Sequence, residues 1–207
     1  MIFRDRSDAA EQLAAALAHW RGKGPIVLAI PRGAVPMGAI LAERLDGDLD
    51  VVLTRKLGAP GNPEFAIGAV DETGWTYIAE HAEASGATHE YIEREVAVQL
   101  ETMRRRRAQY TPARAPLDPA GRIAIVVDDG LATGATMITA LHAVAAKRPQ
   151  HLVCAVPVGA RQAVERVRPH ADELACLDAS MECFAISQCY RRFPQVDDDE
   201  VVAILRR

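Results

Sequence analysis

Short apolar runs alternate with amphipathic stretches along the chain. Residues 26–30 (IVLAI), 122–127 (RIAIVV) and 151–156 (HLVCAV) are continuous apolar runs of strand length, as expected of strands buried on both faces. Runs at 50–54 (DVVLT), 65–70, 75–79 and 173–177 predict further strands. Between them, residues 8–20 carry Leu13, Leu17 and Trp20 at helical spacing, behind an Asp8/Glu11 pair that resembles a capping box and ahead of Gly22 and Gly24. Helical patterns recur at 37–46, 88–109, 135–147 and near 160–168. In 88–109, Ile92, Val96, Leu100 and Met103 share a face, and the run Arg104 to Arg107 closes the segment, where it suits solvent and the negative end of the helix dipole. Asp197-Asp198-Asp199-Glu200 ahead of an apolar run predicts the acidic start of a last helix. The Gly/Pro-rich stretches 57–64 (LGAPGNPE) and 111–121 read as loops. Strands that alternate with helices make the class α/β, with a mainly parallel central sheet flanked by helices.

A length of 207 residues suits one domain over 1–207, with a helical insertion at about 80–110 and a C-terminal hood or flap at about 178–207 that holds Phe184, Tyr190 and Phe193. With 49% hydrophobic and 25% charged residues, wholesale disorder is excluded, and only 5% aromatics leaves an aliphatic core. A net charge of −4 provides no basic field, which argues against nucleic acid as a partner. Cys154, Cys176, Cys183 and Cys189 contain no C-x-x-C pair, so a zinc ribbon is excluded and reduced, structural thiols are expected. The six histidines have no metal spacing. The charged start MIFRDRSDAAEQL lacks the apolar run of a signal peptide, and no stretch of 18 apolar residues predicts a membrane span, so a cytoplasmic location is expected.

The segment Val126-Val127-Asp128-Asp129-Gly130-Leu131-Ala132-Thr133-Gly134-Ala135-Thr136-Met137 carries the chemistry. It runs from a strand, through a turn of small residues, into a helix. In an open α/β sheet, ligands bind at the carboxyl ends of the strands. Backbone N–H groups at the start of the helix, with the Thr133 and Thr136 hydroxyls, form an anion cradle. Carboxylates repel phosphate, so Asp128 and Asp129 must meet hydroxyls of the same ligand, or a nearby metal. A ligand with a phosphate at one end and vicinal hydroxyls at the other is a ribose 5-phosphate. The alternative is an ordinary strand–turn–helix with locally capping aspartates. No Walker loop is present.

This segment resembles the phosphoribosyl diphosphate (PRPP) signature of the type I phosphoribosyltransferases, and every defining position is filled. The resemblance implies that Asp128 and Asp129 hold the ribose 2- and 3-hydroxyls, and that the PRPP-binding loop runs through Gly130, Leu131, Ala132, Thr133, Gly134, Ala135 and Thr136, with residues 132–136 on the 5-phosphate. Mg2+ is the implied cofactor, with Asp128 and Asp129 as candidate ligands. After the first strand, Arg32, Gly33 and Ala34 are similar to the family's pyrophosphate loop, which often holds a non-proline cis peptide. After the second, Arg55-Lys56 would place cations against the diphosphate. Arg32, Lys56 and Glu72 are the catalytic candidates, with Asp71 an alternative to Glu72. A lid over 57–64 or 80–110 would exclude water.

The Arg55–Gly61 stretch and the Leu131-Ala132-Thr133-Gly134 run look like adenine-type members, and Ala132 stands where oxopurine members carry an Asp. The activity implied is Mg-dependent transfer of ribose 5-phosphate from PRPP to a nitrogenous base, as in purine salvage, with release of pyrophosphate. Its partners would be PRPP and a nucleobase, and a homodimer is compatible. A PRPP- or nucleotide-sensing regulator on the same fold is the alternative. A phosphotransferase using the Asp pair is a weaker reading, because the Asp-x-Asp pattern is absent.

Overall fold

The computed structural model describes residues 2–112, 115–180 and 185–206. Five parallel strands form the main sheet: β1 (Ile26–Ala29), β2 (Asp48–Val51), β6 (Ile123–Val127), β7 (His151–Val158) and β8 (Glu173–Asp178), in the order β2-β1-β6-β7-β8. Between β6 and β8 lie α4 (Ala135–Ala145) and α5 (Arg161–Val167). The first part of the chain adds α1 (Arg6–Ala16) and α2 (Val35–Leu45). A second sheet is antiparallel, with β3 (Thr54–Ala59), β4 (Asn62–Asp71) and β5 (Thr76–Ile78). The long helix α3 (His89–Tyr110) follows it, and α6 (Asp198–Leu205) ends the chain.

Alternation along the central strands fills two cores. Val27, Ala29, Ile123, Ile125, Val127, Val153 and Ala155 join α1, α2, α3 and α6 on one face. Ile26, Leu28, Ala124, Val126, Cys154 and Val156 join α4 and α5 on the other. With helices against both faces, the strands are apolar throughout, which is why the continuous runs were readable as strands. The sheet reverses direction between β1 and β6: the chain moves from β1 outward to β2, and from β6 outward the other way to β7 and β8. That switch point is where loops diverge and a crevice opens.

Several boundaries differ from the sequence expectation. α1 starts at Arg6, not 8, because Asp5 is the cap: its Oδ1 accepts from Asp8 N at 3.0 Å, and Asp8 in turn accepts from Arg4 N at 2.9 Å. It stops at Ala16, and Leu17 leads into a separate 3-10 turn, Ala18–Trp20. The run DVVLT is not one strand: β2 ends at Val51 and Thr54 begins β3, so the chain changes sheets within it. The 57–64 stretch is a hairpin instead of a loop, turning at Pro60–Gly61 with Gly61 at φ 73°. Gly58 is needed there because a Cβ would lie 2.7 Å from the Pro63 backbone.

The tail is built into the fold. Phe3 pairs with Tyr190 as an isolated bridge, so the two ends of the chain hold each other. Asp197 caps α6 through Glu200 N at 2.8 Å, as the acidic run predicted. Cys154 and Cys176 are free thiols, and burial pushes both up, Cys176 to about 11. Cys183 and Phe184 lie outside the described residues. Among those residues, no helix is long and apolar enough to cross a membrane.

Candidate active site

The loops after β1 and β6 meet at the switch point. Asp128 and Asp129 follow β6 directly, and Gly33 follows β1. A Cβ on Gly33 would stand 2.3 Å from Asp129 Oδ2, so only glycine lets the two loops touch. The Pro31–Arg32 peptide is cis, as the resemblance implied for this loop. Ala34 is buried at the start of α2, and Val35 N donates to Arg32 O at 3.1 Å.

The acid pair is half-buried and its hydrogen bonding is incomplete. Asp128 Oδ1 accepts from Asp129 N at 2.8 Å. Asp129 Oδ2 accepts from Arg6 Nε at 3.1 Å and Arg6 Nη2 at 2.9 Å. From the described residues, Asp128 Oδ2 and Asp129 Oδ1 receive no hydrogen bond. Burial, and then the Asp129 charge, push the Asp128 carboxyl well above the ordinary carboxylate range. Burial also raises Asp129, against the opposing pull of Arg6.

Beyond the pair, Leu131 N donates to Val158 O at 2.9 Å, which ties the turn to β7. Gly134 caps α4 at φ 83°, and a Cβ there would also meet Val167 at 2.8 Å. Gly130 is needed for packing: a Cβ would reach Ile186 of the tail at 2.6 Å. Thr133 Oγ1 accepts from Ala135 N at 3.4 Å, Arg166 donates to Thr133 O at 2.7 Å, and Ala132 and Thr133 are exposed at the turn. Ala135 and Thr136 open the helix and are partly exposed. This is the dipole-positive, N–H-rich end the sequence predicted.

The cations are distributed differently from expectation. Arg55 and Lys56 do not end the second parallel strand. They lie within β3 of the small sheet, where neighbouring side chains point to opposite faces. Lys56 is exposed, and its charge favours ionised Asp128. Arg55 donates to Gln99 of α3 at 2.8 Å, and burial, then the Arg106 charge, lower its proton affinity. Arg32 Nη1 stands 3.8 Å from Asp198 Oδ2, and Tyr110 of α3 donates to Asp198 Oδ1. Burial and that bond push Tyr110 up to about 12.

Glu72 is not brought to the acid pair. Arg107 holds it, with Nη2 at 2.6 Å and Nε at 2.9 Å, in a cavity of about 400 Å³ lined by Leu100, Met103 and Arg104. Arg32, Gly33, Asp129 and Arg6 line a different cavity, of about 380 Å³, roofed by Phe193 to Val196. Asp71, the alternative, is fully buried, and its Oδ1 holds the turn through Thr73 and Trp75.

The four-arginine run divides. Arg104 and Arg105 are exposed near Glu101, as expected, but Arg107 turns inward to Glu72, Asp50 and Val51 O. Tyr190 is buried and donates to Asp129 O at 2.7 Å, and the Arg6 guanidinium lies 3.6 Å over the Phe193 ring. Arg6, Tyr190 and Asp198 were not singled out as site residues from the sequence. Their contacts with the signature loops span 123, 61 and 166 positions, beyond any local pattern.

The reversal of strand order between β1 and β6 places the acid pair and the helix-capping turn together where open α/β sheets bind ligands. The chain belongs to the phosphoribosyl transferase domain family, whose model matches residues 4–191. The described parts of the 178–207 tail up to that point therefore lie inside the family domain.

Among similar proteins is TT1426 of Thermus thermophilus, whose crystal structure is 44% identical, with a TM-score of 0.83 over 99% of this chain and 98% of that one. The Mycobacterium tuberculosis H37Rv protein Rv0571c, named provisionally as a phosphoribosyl transferase, is 41% identical across the whole of this chain but only 47% of its own. The chain thus spans about half the length of the curated relatives it matches. AQ2163 of Aquifex aeolicus, at 11% identity and a TM-score of 0.50 over 84% of this chain and 74% of that one, shares the fold alone.

Proposed function

We propose that the chain binds PRPP across the β1–β6 switch point and transfers its ribose 5-phosphate to a nitrogenous base, with release of pyrophosphate. One observation carries this reading. Asp128 Oδ2 and Asp129 Oδ1 accept no hydrogen bond from the described residues, while the turn one step away ends in a helix N-terminus suited to a phosphate. Hydroxyl acceptors beside a phosphate cradle match a phosphorylated sugar.

In this reading the 5-phosphate lies against residues 132–136, and the acid pair takes the 2- and 3-hydroxyls. The diphosphate lies toward Arg32, Gly33 and Ala34, with Lys56 at its edge. The C1–O1 bond breaks with its electron pair leaving on pyrophosphate, and a nitrogen lone pair of the base forms the new bond to C1 while the base's N–H proton passes to solvent. Arg32, Lys56 and the loop N–H groups stabilise the charge that develops on the leaving group.

The acid pair also fits Mg2+. Its unpartnered oxygens are hard donors of the kind Mg2+ takes. Asp128 and Asp129 would hold it, and when bound it would neutralise phosphate charge. Ala132, exposed and without a carboxylate, supports a 6-aminopurine-like acceptor over an oxopurine.

A PRPP-dependent screen with adenine, hypoxanthine, guanine, uracil and orotate tests the proposal. Pyrophosphate release with adenine in preference to the others is expected. Preference for an oxopurine or pyrimidine would refute the acceptor assignment. PRPP binding without any turnover would favour a PRPP-sensing regulator.

A further inference from the structure

Arg6 is a buried cation at the start of α1, and every nitrogen of its guanidinium is engaged. Nε and Nη2 both donate to Asp129 Oδ2, and Nη1 donates to Pro194 O at 2.6 Å. Its plane lies against Phe193. The same Asp129 is held from its backbone, because Tyr190 Oη donates to Asp129 O. Gly33 closes the third side: a Cβ there would collide with Asp129 Oδ2 and lie 3.1 Å from Arg6 Nη2. One aspartate is therefore gripped at its carboxylate by the start of the chain, at its backbone by the tail, and crowded by the pyrophosphate-loop glycine. Two N–H groups on one oxygen hold Asp129 Oδ2 in place and leave Oδ1 outside the ion pair.

We propose that Arg6 is a positioning residue for the sugar site: it locks Asp129 so that Oδ1 alone meets the ribose, and thereby makes the two terminal segments part of that site. This rests on the reading of residues 128–136 as the PRPP loop. Arg6 would not touch the ligand. Through Pro194 and Phe193 it would hold the roof of the 380 Å³ cavity in the register that the acid pair requires. Its removal leaves Asp129 free to rotate and the roof untied, while the anion cradle on α4, the cations on β3 and Arg32, which shares the cavity but faces Asp198, keep their own supports.

Calorimetric titration of Arg6→Gln with PRPP, ribose 5-phosphate and inorganic pyrophosphate tests this. The two sugar ligands should each lose about tenfold in affinity, the loss expected for one charge-assisted hydroxyl bond. Pyrophosphate has no hydroxyls and should lose less than about twofold, well below that single-bond loss. Arg6→Lys keeps the charge but lacks the fork that bridges Asp129 and Pro194, so it should recover only part of the loss; it also carries the three-ligand comparison if Arg6→Gln fails to fold. Asp129→Asn should match Arg6→Gln, and the double variant should lose no more than either single one, since both act through one carboxylate.

Equal losses for all three ligands would show a merely structural role and overturn the proposal. Additive losses would do the same. Tighter PRPP binding by Arg6→Gln would also overturn it, by making Arg6 a competitor for the site. Wild-type protein that binds pyrophosphate but neither sugar ligand would sink the PRPP reading and this inference together. PRPP binding that is indifferent to Arg6 would sink the inference alone.

Discussion

Two acid clusters in this molecule are each answered by one arginine, and they differ in what is left over. Where β2 meets the end of β4, Arg107 holds Asp50 and Glu72. Asp50 Oδ1 accepts from Val51 N at 2.8 Å and from Arg107, and its Oδ2 accepts from Leu117 N at 2.7 Å. Both Glu72 oxygens are taken by Arg107, and Leu53 N adds a longer bond at 3.4 Å. All four oxygens are occupied by protein, so the cluster is a joint that fastens α3 to the edge of the main sheet. At the β1–β6 switch point, Arg6 occupies one oxygen of Asp129 and a backbone N–H occupies one of Asp128. Two oxygens remain as acceptors. A buried acid is costly unless its hydrogen bonds are made; the closed cluster is complete without a ligand, and in the proposed reading the ribose hydroxyls complete the open one.

The largest effect should come from breaking the closed cluster. Arg107→Ala leaves Asp50, which is 1% exposed, without its cation, and should destabilise by about 3–5 kcal/mol. Thermal denaturation should show this as a fall of roughly 10 °C or more. A fall of only a degree or two would mean that Asp50 and Glu72 are satisfied without Arg107, and the contrast would dissolve.

Next in size is the open cluster. Asp128→Asn with Asp129→Asn should weaken PRPP binding at least about a hundredfold, because two charge-assisted hydroxyl bonds of roughly 1.5–3 kcal/mol each are lost. Unchanged affinity by calorimetry would remove the ligand role of the pair. Arg32→Ala and Lys56→Ala should each weaken pyrophosphate binding by roughly fivefold while sparing ribose 5-phosphate, since single charge-assisted contacts to one end of the ligand are removed. Equal losses for both ligands would place these cations on the wrong phosphate.

The smallest effect separates two neighbours on α3. Arg106 is half-buried, on the face that carries Gln99 and Tyr110, and its charge bears on both Arg55 and Tyr110. Arg105 is exposed near Glu101. Arg106→Gln should weaken pyrophosphate binding by about two- to threefold through long-range charge, whereas Arg105→Gln should leave it within error, because exposed charges are screened. Identical titrations for the two variants would place α3 outside the site.

Much of this was written locally. The apolar runs at 26–30, 122–127 and 151–156 are β1, β6 and β7 because strands covered on both faces need no polar positions. The acid pair and the turn were legible because strand, turn and helix cap are consecutive in the chain; of the two glycines in that turn, Gly134 has a positive φ and Gly130 does not. The alternation of strands and helices likewise determined the α/β class. Tertiary structure decided the rest. Arg55 and Lys56 read as a pair in sequence, and the pleat of β3 sends them to opposite faces. Glu72 read as a catalytic candidate, with Asp71 its alternative, from its place in the order of motifs, but Arg107, 35 positions away on α3, occupies it. Arg6 stood in the sequence only as one charge of the start MIFRDRSDAAEQL, and the meeting of both chain ends over the switch point brought it to Asp129. Periodicity and turn chemistry act between near neighbours, so a sequence displays them. The partner of a buried charge is set by which distant segments the sheet order brings together.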